Sequence, residues 1–157
     1  MQTEATRIIA IRHGETAWNV DTRIQGQLDI GLNTKGRWQA QQAALALAGE
    51  SIQALHASDL WRTYDTALAI AAVTGLPVLT DEGLRERGCG HFEGKTFAEI
   101  RTAVKIKNSA KLLISNQSAS IEDVSLLTGY SDLSTYYKTF KGIMGVTPAE
   151  YRREKTE

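Results

Sequence analysis

Short apolar segments alternate with longer alanine-rich segments between residues 6 and 80, and few folds are compatible with this alternation. Residues 6–12, 52–57 and 78–80 are apolar and partly β-branched, which predicts buried strands. Residues 34–47 and 61–74 are rich in alanine, and a glycine follows each within two residues, which predicts two helices. The order strand, helix, strand, helix, strand predicts an α/β fold with a parallel sheet.

Beyond residue 97 the pattern is helical throughout. The glycine-rich segment 84–94 precedes it and is a predicted loop. Helices are then predicted over residues 104–114, 121–128 and 132–144, with a last turn near Pro148. Ser120 and Asp123 form a capping box for the second of these helices, and Ser131 caps the third. We therefore predict an α/β domain over residues 1–100 and an all-α segment over residues 101–157.

The charge distribution supports a division near residue 100. The chain is neutral overall, but residues 1–100 hold 9 Lys+Arg against 12 Asp+Glu, whereas residues 101–157 hold 9 against 6. All three histidines lie before residue 100, and four of the five tyrosines lie after it. These shifts indicate that two types of sequence meet near this point.

The composition excludes several classes of protein. With 42% apolar and 23% charged residues, the chain is neither collagen-like nor a disordered tail. It has no apolar run of about 18 residues and no signal-peptide pattern, so we expect a cytoplasmic protein without a membrane partner. A single cysteine and three histidines provide neither a disulfide nor a Cys/His zinc site, and we expect no metal and no cofactor.

Arg12 and His13 directly follow the first predicted strand. Open α/β sheets bind ligands at the carboxyl ends of their strands, and Arg62, at the start of a helix that follows a strand, is expected at the same edge. Guanidinium groups pair with phosphate oxygens, and an unprotonated imidazole among them is a nucleophile for phosphorus. Glu86, in the predicted loop, is a candidate proton donor to the leaving oxygen.

Five motifs in this region resemble the histidine phosphatase superfamily, in particular its phosphoglycerate-mutase-like bacterial members. They are RHGETAWN at 12–19, LNTKG at 32–36, SDLWRT at 58–63 with TA at 66–67, LRE at 84–86 and EG at 93–94. The resemblance implies a partial three-layer fold of a parallel sheet with helices, and a phosphate ester or inorganic phosphate as ligand. It also implies His13 as the phosphorylated nucleophile, Arg12 and Arg62 as phosphate clamps, Asn19 as a further pocket donor and Glu86 as general acid.

The family's pocket also contains a second histidine, carried by a later strand, and this chain has no histidine after residue 94. We therefore expect impaired catalysis unless a partner chain completes the site. The absent part would also supply a central portion of the sheet. The remainder is expected to expose apolar strand edges and helix faces, through which the chain could form oligomers.

Residues 120–144 have the pattern of a helix-turn-helix, two short helices joined by a glycine turn, whose second helix would enter the major groove of DNA. Tyr136 and Phe140 are spaced i, i+4 and are predicted to pack inward. The remaining polar and cationic side chains of that helix would contact DNA: Ser134, Thr135, Tyr137, Lys138 and Lys141.

The same region resembles the C-terminal signature of the AraC/XylS family of transcription regulators. The matching residues are IEDV at 121–124, GYSD at 129–132, FK at 140–141 and GVTPAEYR at 145–152. The resemblance implies that Ser134, Tyr137 and Lys138 lie on the second recognition helix. Because the family's first helix-turn-helix unit is absent, we expect only weak binding to DNA.

Three hypotheses follow from these two partial signatures, which meet between residues 97 and 104 without a flexible linker. The first is a truncated phosphatase or mutase that binds phosphate with little turnover. The second is a fragment of a sequence-specific DNA-binding regulator. The third is an engineered chimera without activity, since natural fusions usually join whole domains, and we infer an artificial joining in preference to a natural rearrangement.

Overall fold

The computed structural model describes residues 6–156, and the chain divides into two compact units, Met1–Thr96 and Phe97–Glu157. We call them the N-terminal unit and the C-terminal unit. Within residues 6–156, no helix is long and apolar enough to cross a bilayer.

The N-terminal unit is a mixed α/β structure. Its elements are α1 (Ala17–Val20), α2 (Thr34–Leu47), β1 (Leu55–Ala57), α3 (Trp61–Thr74) and β2 (Val78–Thr80), followed by 3-10 turns at Glu82–Leu84 and Gly90–Phe92. β1 and β2 pair in parallel, with Leu55 opposite Val78, and α3 connects them. The predicted α/β class, both long helices and the last two strands are confirmed.

The first predicted strand is wrong: residues 6–12 form no ladder, and the described sheet has two strands. Ile8 is 85% exposed, and residues 9–11 line a cavity of about 270 Å³ together with β1. A ladder needs paired backbone N–H and C=O groups on strands about 4.8 Å apart, and residues 6–12 make no such pairing with β1 or β2. An apolar β-branched run becomes a strand only where a neighbour is close enough to pair with it.

Large apolar side chains of the N-terminal unit stay exposed, as expected for a partial sheet. α2 and α3 pack against each other and bury small residues such as Ala40, Ala44 and Ala67. Trp38 and Leu45 on α2 remain more than half exposed. An apolar surface of this kind is characteristic of a protein face that lacks a covering element.

The loop that follows His13 packs closely on the start of α2. A Cβ atom at Gly14 would lie 2.2 Å from the carbonyl oxygen of Gly36, and one at Gly36 would lie 2.0 Å from that of Glu15. The Glu15 N–H also donates to Gln39 Oε1 on α2, at 2.8 Å. The two glycines therefore let two backbone segments meet directly, and this approach holds the loop in place.

The C-terminal unit consists of four helices, α4 (Phe97–Ser115), α5 (Ile121–Leu127), α6 (Leu133–Met144) and α7 (Pro148–Thr156). Its buried core comprises Ile106, Ala110, Leu113, Val124, Tyr136 and Phe140. The Tyr136 hydroxyl donates to Ser109 Oγ at 3.2 Å, so this buried ring keeps a polar partner. The predicted inward packing of Tyr136 and Phe140 is confirmed.

One predicted helix cap in the C-terminal unit is wrong. α4 begins at Phe97, which agrees with the helical pattern predicted beyond residue 97, and it includes the predicted segment 104–114. The N-cap of α6 is Asp132, whose carboxylate accepts from the backbone N–H groups of Ser134 and Thr135, and not Ser131. The capping box of Ser120 and Asp123 on α5 is confirmed.

Replacement of Gly36 by alanine should destabilise the protein, although alanine is the better helix former. The added Cβ would overlap Glu15 O, and the resulting shift is expected to lower the free energy of unfolding by about 1–3 kcal/mol. The matched control is Gly142→Ala in α6, where the Cβ meets open space and a gain of about 0.5–1 kcal/mol is expected. Urea denaturation of both variants measures this. A Gly36→Ala protein as stable as the wild type would refute the close approach.

Candidate active site

His13 lies in a cleft lined also by Arg12, Gly14, Gln39 and Thr66, with a volume of about 220 Å³. Its Nδ1 lies 2.7 Å from the carbonyl oxygen of Gly14. A carbonyl oxygen only accepts, so Nδ1 carries the hydrogen and donates it. The lone pair of a neutral imidazole is then on Nε2, which is the nitrogen available as a nucleophile.

The surroundings of His13 favour the neutral imidazole. Burial is the largest influence and lowers the pKa of His13 below its usual value near 6.5. The positive charges of Arg62 and Arg12 lower this pKa further, whereas the hydrogen bond to Gly14 and the negative charge of Glu86 oppose the change. At neutral pH the side chain is therefore uncharged and retains its lone pair.

Arg62, the second residue of α3, is only 2% exposed. Its Nη1 donates to the Leu28 carbonyl oxygen at 2.9 Å, and its Nη2 donates to that of Gly26 at 2.7 Å. Its Nε is buried and has no hydrogen-bond partner among the described residues. Arg62 therefore holds the 26–28 loop to α3, and its charge also acts on the pKa of His13.

Arg12 is exposed beside His13 and lines the same cleft. The structure thus brings together two of the predicted site residues in one cleft and places Arg62 within electrostatic range of His13. The sequence predicts that one imidazole and two guanidinium groups come together. The charges of both guanidinium groups do act on His13, but Arg62 does not line the cleft.

Asn19 does not line the cleft of His13, and its role as a pocket donor stays a prediction. It is the third residue of α1, and its Oδ1 accepts from the backbone N–H and the hydroxyl of Thr16 at 2.9 and 3.0 Å. Thr16 accepts in turn from the Asn19 N–H, which completes a capping box. The side-chain oxygen of Asn19 therefore forms part of the N-terminal cap of α1.

Glu86 is exposed in the loop after β2. Its carbonyl oxygen accepts from Gln27 Nε2 at 3.1 Å, which ties this loop to the 26–28 loop that Arg62 holds. Burial lowers the pKa of both His13 and Arg62, and the negative charge of Glu86 opposes this change. The predicted proton donor thus lies within electrostatic range of the predicted nucleophile.

Sequence reasoning assigned no role to two further residues that organise the site. The Thr66 hydroxyl accepts from the Gly14 N–H at 3.1 Å, next to the nucleophile. Glu93 Oε1 accepts from the N–H groups of Cys89 and Gln27 at 2.8 and 3.1 Å, and these bonds lower the pKa of Glu93. Both residues stand in the motifs TA at 66–67 and EG at 93–94, but their partners are distant in sequence and appear only in the folded chain.

The predicted DNA-contacting residues all lie on α6, and all but one of the four named next are exposed. Ser134, Lys138 and Lys141 are exposed. Tyr137 is half-buried and packs against the core, edge-on to Tyr136 with ring centroids 6.2 Å apart. Part of the Tyr137 ring is therefore used in the core, and its predicted contact with DNA stays a prediction. Within residues 6–156, no three His, Cys, Asp or Glu side chains form a potential metal site.

The family model of the histidine phosphatase superfamily, branch 1, matches residues 8–124, which is most of the chain. The chain belongs to the histidine phosphatase superfamily. A second model, that of the bacterial regulatory helix-turn-helix proteins of the AraC family, matches residues 114–153, and the two matches overlap over residues 114–124.

Individual histidine phosphatases are similar over part of their length. Phosphoglycerate mutase-like protein 4 of Arabidopsis thaliana is 44% identical over 133 residues, which cover 83% of this chain and 55% of the relative. Glucosyl-3-phosphoglycerate phosphatase of Mycobacterium tuberculosis is 45% identical over 96 residues, 61% of this chain and 43% of the relative. The chain spans about half the length of the curated relatives it matches.

A solved structure shows the same fold with an anion bound. The mycobacterial glucosyl-3-phosphoglycerate phosphatase in complex with VO3 superimposes with a TM-score of 0.58 at 32% identity, covering 85% of this chain and 62% of that chain. The α/β class and the family assignment derived from the motifs are thereby confirmed.

The lowered pKa of His13 makes stability depend on pH in a direction that can be measured. Below about pH 6.5 the unfolded chain binds a proton at this position more readily than the folded chain does. The free energy of unfolding should therefore decrease as the pH falls from about 6.5 towards the lowered pKa. Urea denaturation across this range should show a larger decrease in the free energy of unfolding for the wild type than for His13→Gln. Both proteins have the same carboxyl groups, so the difference reports His13. Parallel curves for the two proteins would contradict the lowered pKa.

Proposed function

We propose that this chain transfers a phosphoryl group from a phosphate monoester to Nε2 of His13, as a truncated phosphatase or mutase of the phosphohistidine type. The observation that carries the proposal is the hydrogen bond from His13 Nδ1–H to the Gly14 carbonyl, 2.7 Å long. It orients the ring and leaves the Nε2 lone pair free, and the lowered pKa of His13 keeps that lone pair unprotonated at neutral pH.

The proposed reaction has two steps. In the first, the Nε2 lone pair attacks phosphorus, the ester P–O bond breaks, and the leaving alkoxide takes a proton from the Glu86 carboxyl. In the second, Glu86 accepts a proton from water, the resulting hydroxide attacks phosphorus, and the P–N bond breaks to release inorganic phosphate. The imidazole returns to its neutral form, and Glu86 is protonated again for the next cycle.

The cationic residues bind the phosphate in this proposal. Arg12 lines the cleft of His13 and pairs with phosphate oxygens. Arg62 donates from both Nη atoms to backbone carbonyls, and its Nε–H has no partner among the described residues. In this proposal its buried positive charge attracts the phosphate, and the negative charges of Asp29, Glu86 and Glu93 oppose that attraction. Asn19 uses its side-chain oxygen in the capping box, so its amide N–H groups are the donors that the proposal assigns to the phosphate.

Turnover is expected to be slow. A second histidine that would face the nucleophile and stabilise the transferring phosphoryl group is absent after residue 94. Preorganised donors aimed at developing charge supply a large share of catalysis, so their loss slows both steps. We therefore propose that His13 becomes phosphorylated with little turnover, and that the phosphorylated form accumulates where hydrolysis of the P–N bond is the slower step.

The chain as a whole joins, in our proposal, part of a histidine phosphatase to part of an AraC-like helix-turn-helix. The partial coverage of the curated relatives and the AraC match at residues 114–153 support this proposal. The boundary is placed near residue 100, and the α4 helix runs through it. The exposed apolar side chains of the N-terminal unit would then permit self-association or the binding of a completing chain.

Incubation of the full chain with p-nitrophenyl phosphate should phosphorylate His13. Phosphohistidine is labile in acid and stable in alkali, so wild-type protein should release its bound phosphate only on acidification. His13→Gln should take up none, whereas His91→Gln, an exposed histidine outside the cleft, should behave as the wild type. Intact-mass spectrometry at alkaline pH measures the modification. Equal labelling of His13→Gln and wild type, or no labelling of either, would refute the proposal.

A second candidate function is DNA binding by the C-terminal unit. The specific observation is the exposure of Ser134, Lys138 and Lys141 on α6, the second helix of the α5–turn–α6 arrangement, within the segment that the AraC model matches. One helix-turn-helix makes few phosphate contacts, so the proposed affinity is low and strongly dependent on salt.

Selection from a library of random DNA duplexes tests this candidate. Repeated selection at low salt should enrich one sequence motif. Lys138→Ala should weaken its retention in a gel and reduce the salt dependence by about one counterion. The control is Lys107→Ala, an exposed lysine on α4. Equal retention of all duplexes would show that the protein binds DNA by charge alone and would exclude sequence-specific binding.

A further inference from the structure

Thr66 lies on α3, one helical turn after Arg62, and is 5% exposed. Its hydroxyl makes two hydrogen bonds. The Gly14 N–H lies 3.1 Å from Oγ1, and the Arg62 carbonyl oxygen lies 2.7 Å from it. A backbone N–H only donates and a carbonyl oxygen only accepts, so Thr66 accepts from Gly14 and donates to Arg62. Both roles of this hydroxyl are therefore used.

The peptide group on which Thr66 acts is adjacent to the nucleophile. Gly14 donates its N–H to Thr66, and its carbonyl oxygen accepts from Nδ1–H of His13 at 2.7 Å. The loop has no side chain at Gly14 to hold it, and a Cβ there would collide with Gly36. The Gly14 N–H belongs to the His13–Gly14 peptide group, whereas the Gly14 carbonyl belongs to the next peptide group, whose Glu15 N–H donates to Gln39 Oε1 at 2.8 Å. The orientation of the Gly14 carbonyl therefore depends on Thr66 at one side of Gly14 and on Gln39 at the other.

We propose that Thr66 is a positioning residue for His13. It fixes the His13–Gly14 peptide group, while Gln39 holds the following one through the Glu15 N–H, and the Gly14 carbonyl oxygen set between these two bonds selects the Nδ1–H tautomer and so presents Nε2 for reaction. This inference rests on the proposed phosphoryl transfer for its consequence, but the tautomer can be observed without any substrate. The chain of contacts runs from α3 through Thr66 and Gly14 to the imidazole, and it couples the helix that carries Arg62 to the nucleophile.

The neighbouring contacts show why the hydroxyl, and not only the volume of Thr66, is required. Valine has nearly the same shape but neither donates nor accepts, so it would leave the buried Gly14 N–H without a partner. Serine retains the hydroxyl, and cysteine retains a weak donor and acceptor of similar size. The three replacements therefore vary the strength of the hydrogen bond. Valine and cysteine also keep a side chain of similar size at this position.

α3 also provides a matched control. Thr74 lies two turns further along and donates its hydroxyl to the Ile70 carbonyl at 3.0 Å, the same bond to the residue four positions earlier that Thr66 makes to Arg62. Thr74 has no contact with the loop of His13 in the described hydrogen bonds. Thr74→Val thus removes the shared intrahelical bond without touching Gly14.

The experiment uses the full chain and two measurements. The first is the ¹⁵N spectrum of the His13 ring at a pH above its pKa, where the wild type should show a protonated Nδ1 and an unprotonated Nε2. Thr66→Val should show a mixture of tautomers, and Thr66→Ser should restore the wild-type spectrum. The second is the rate of His13 phosphorylation by p-nitrophenyl phosphate. It should fall about tenfold in Thr66→Val, the order expected for one lost hydrogen bond.

The rates should rank wild type and Thr66→Ser first, then Thr66→Cys, then Thr66→Val, with Thr74→Val at the wild-type level. If Thr66→Val does not fold, the phosphorylation rates of Thr66→Ser and Thr66→Cys still test the positioning role, and Thr66→Ser should be the faster. Wild-type spectra and rates in the valine or cysteine variant would overturn the positioning role while phosphorylation of the wild type upholds the proposed function. Absence of phosphorylation in the wild type, together with a tautomer change in Thr66→Val, would overturn the proposed function and support the role of Thr66.

Discussion

A buried guanidinium organises the N-terminal unit. Arg62 is almost fully removed from solvent, and its two Nη atoms donate to the carbonyl oxygens of Gly26 and Leu28. A buried charge is costly unless hydrogen bonds replace its hydration, so these two bonds make the position of the 26–28 loop a condition of folding. That loop is in turn joined to the segment of Glu86 by Gln27, which donates to the Glu86 carbonyl and to Glu93. Arg62 thus supplies a positive charge that acts on His13 and also holds the neighbouring loop in place.

The second constraint is the incomplete sheet. The chain spans about half the length of its curated relatives, and its described sheet has two short parallel strands. Residues 9–11 line a cavity beside β1 and form no ladder. A parallel sheet normally buries both faces, and here part of the apolar surface stays in contact with solvent. The loops around His13 are held by side-chain hydrogen bonds from Thr66, Arg62 and Gln27.

Much of the architecture could be predicted from local pattern. The bounds of α2, α3 and β2 follow from alanine-rich runs, from Gly75 as a left-handed helix end and from a short β-branched segment. The predictions failed where the outcome depended on a distant partner. The segment 6–12 has the composition of a strand but forms no ladder with β1 or β2. Tyr137 is partly buried against the core of the C-terminal unit, and the helical spacing of its neighbours does not show this contact.

The order of residues alone established the family and indicated the candidate nucleophile and the cationic residues around it, since motifs such as RHG and SDLWRT are contiguous. Folding decided which nitrogen of His13 is free, which donors of Arg62 are occupied and which hydroxyl holds Gly14. Those properties depend on hydrogen bonds between residues more than 30 positions apart, or on the direction of a single peptide group. Neither leaves a periodic or compositional trace in the chain.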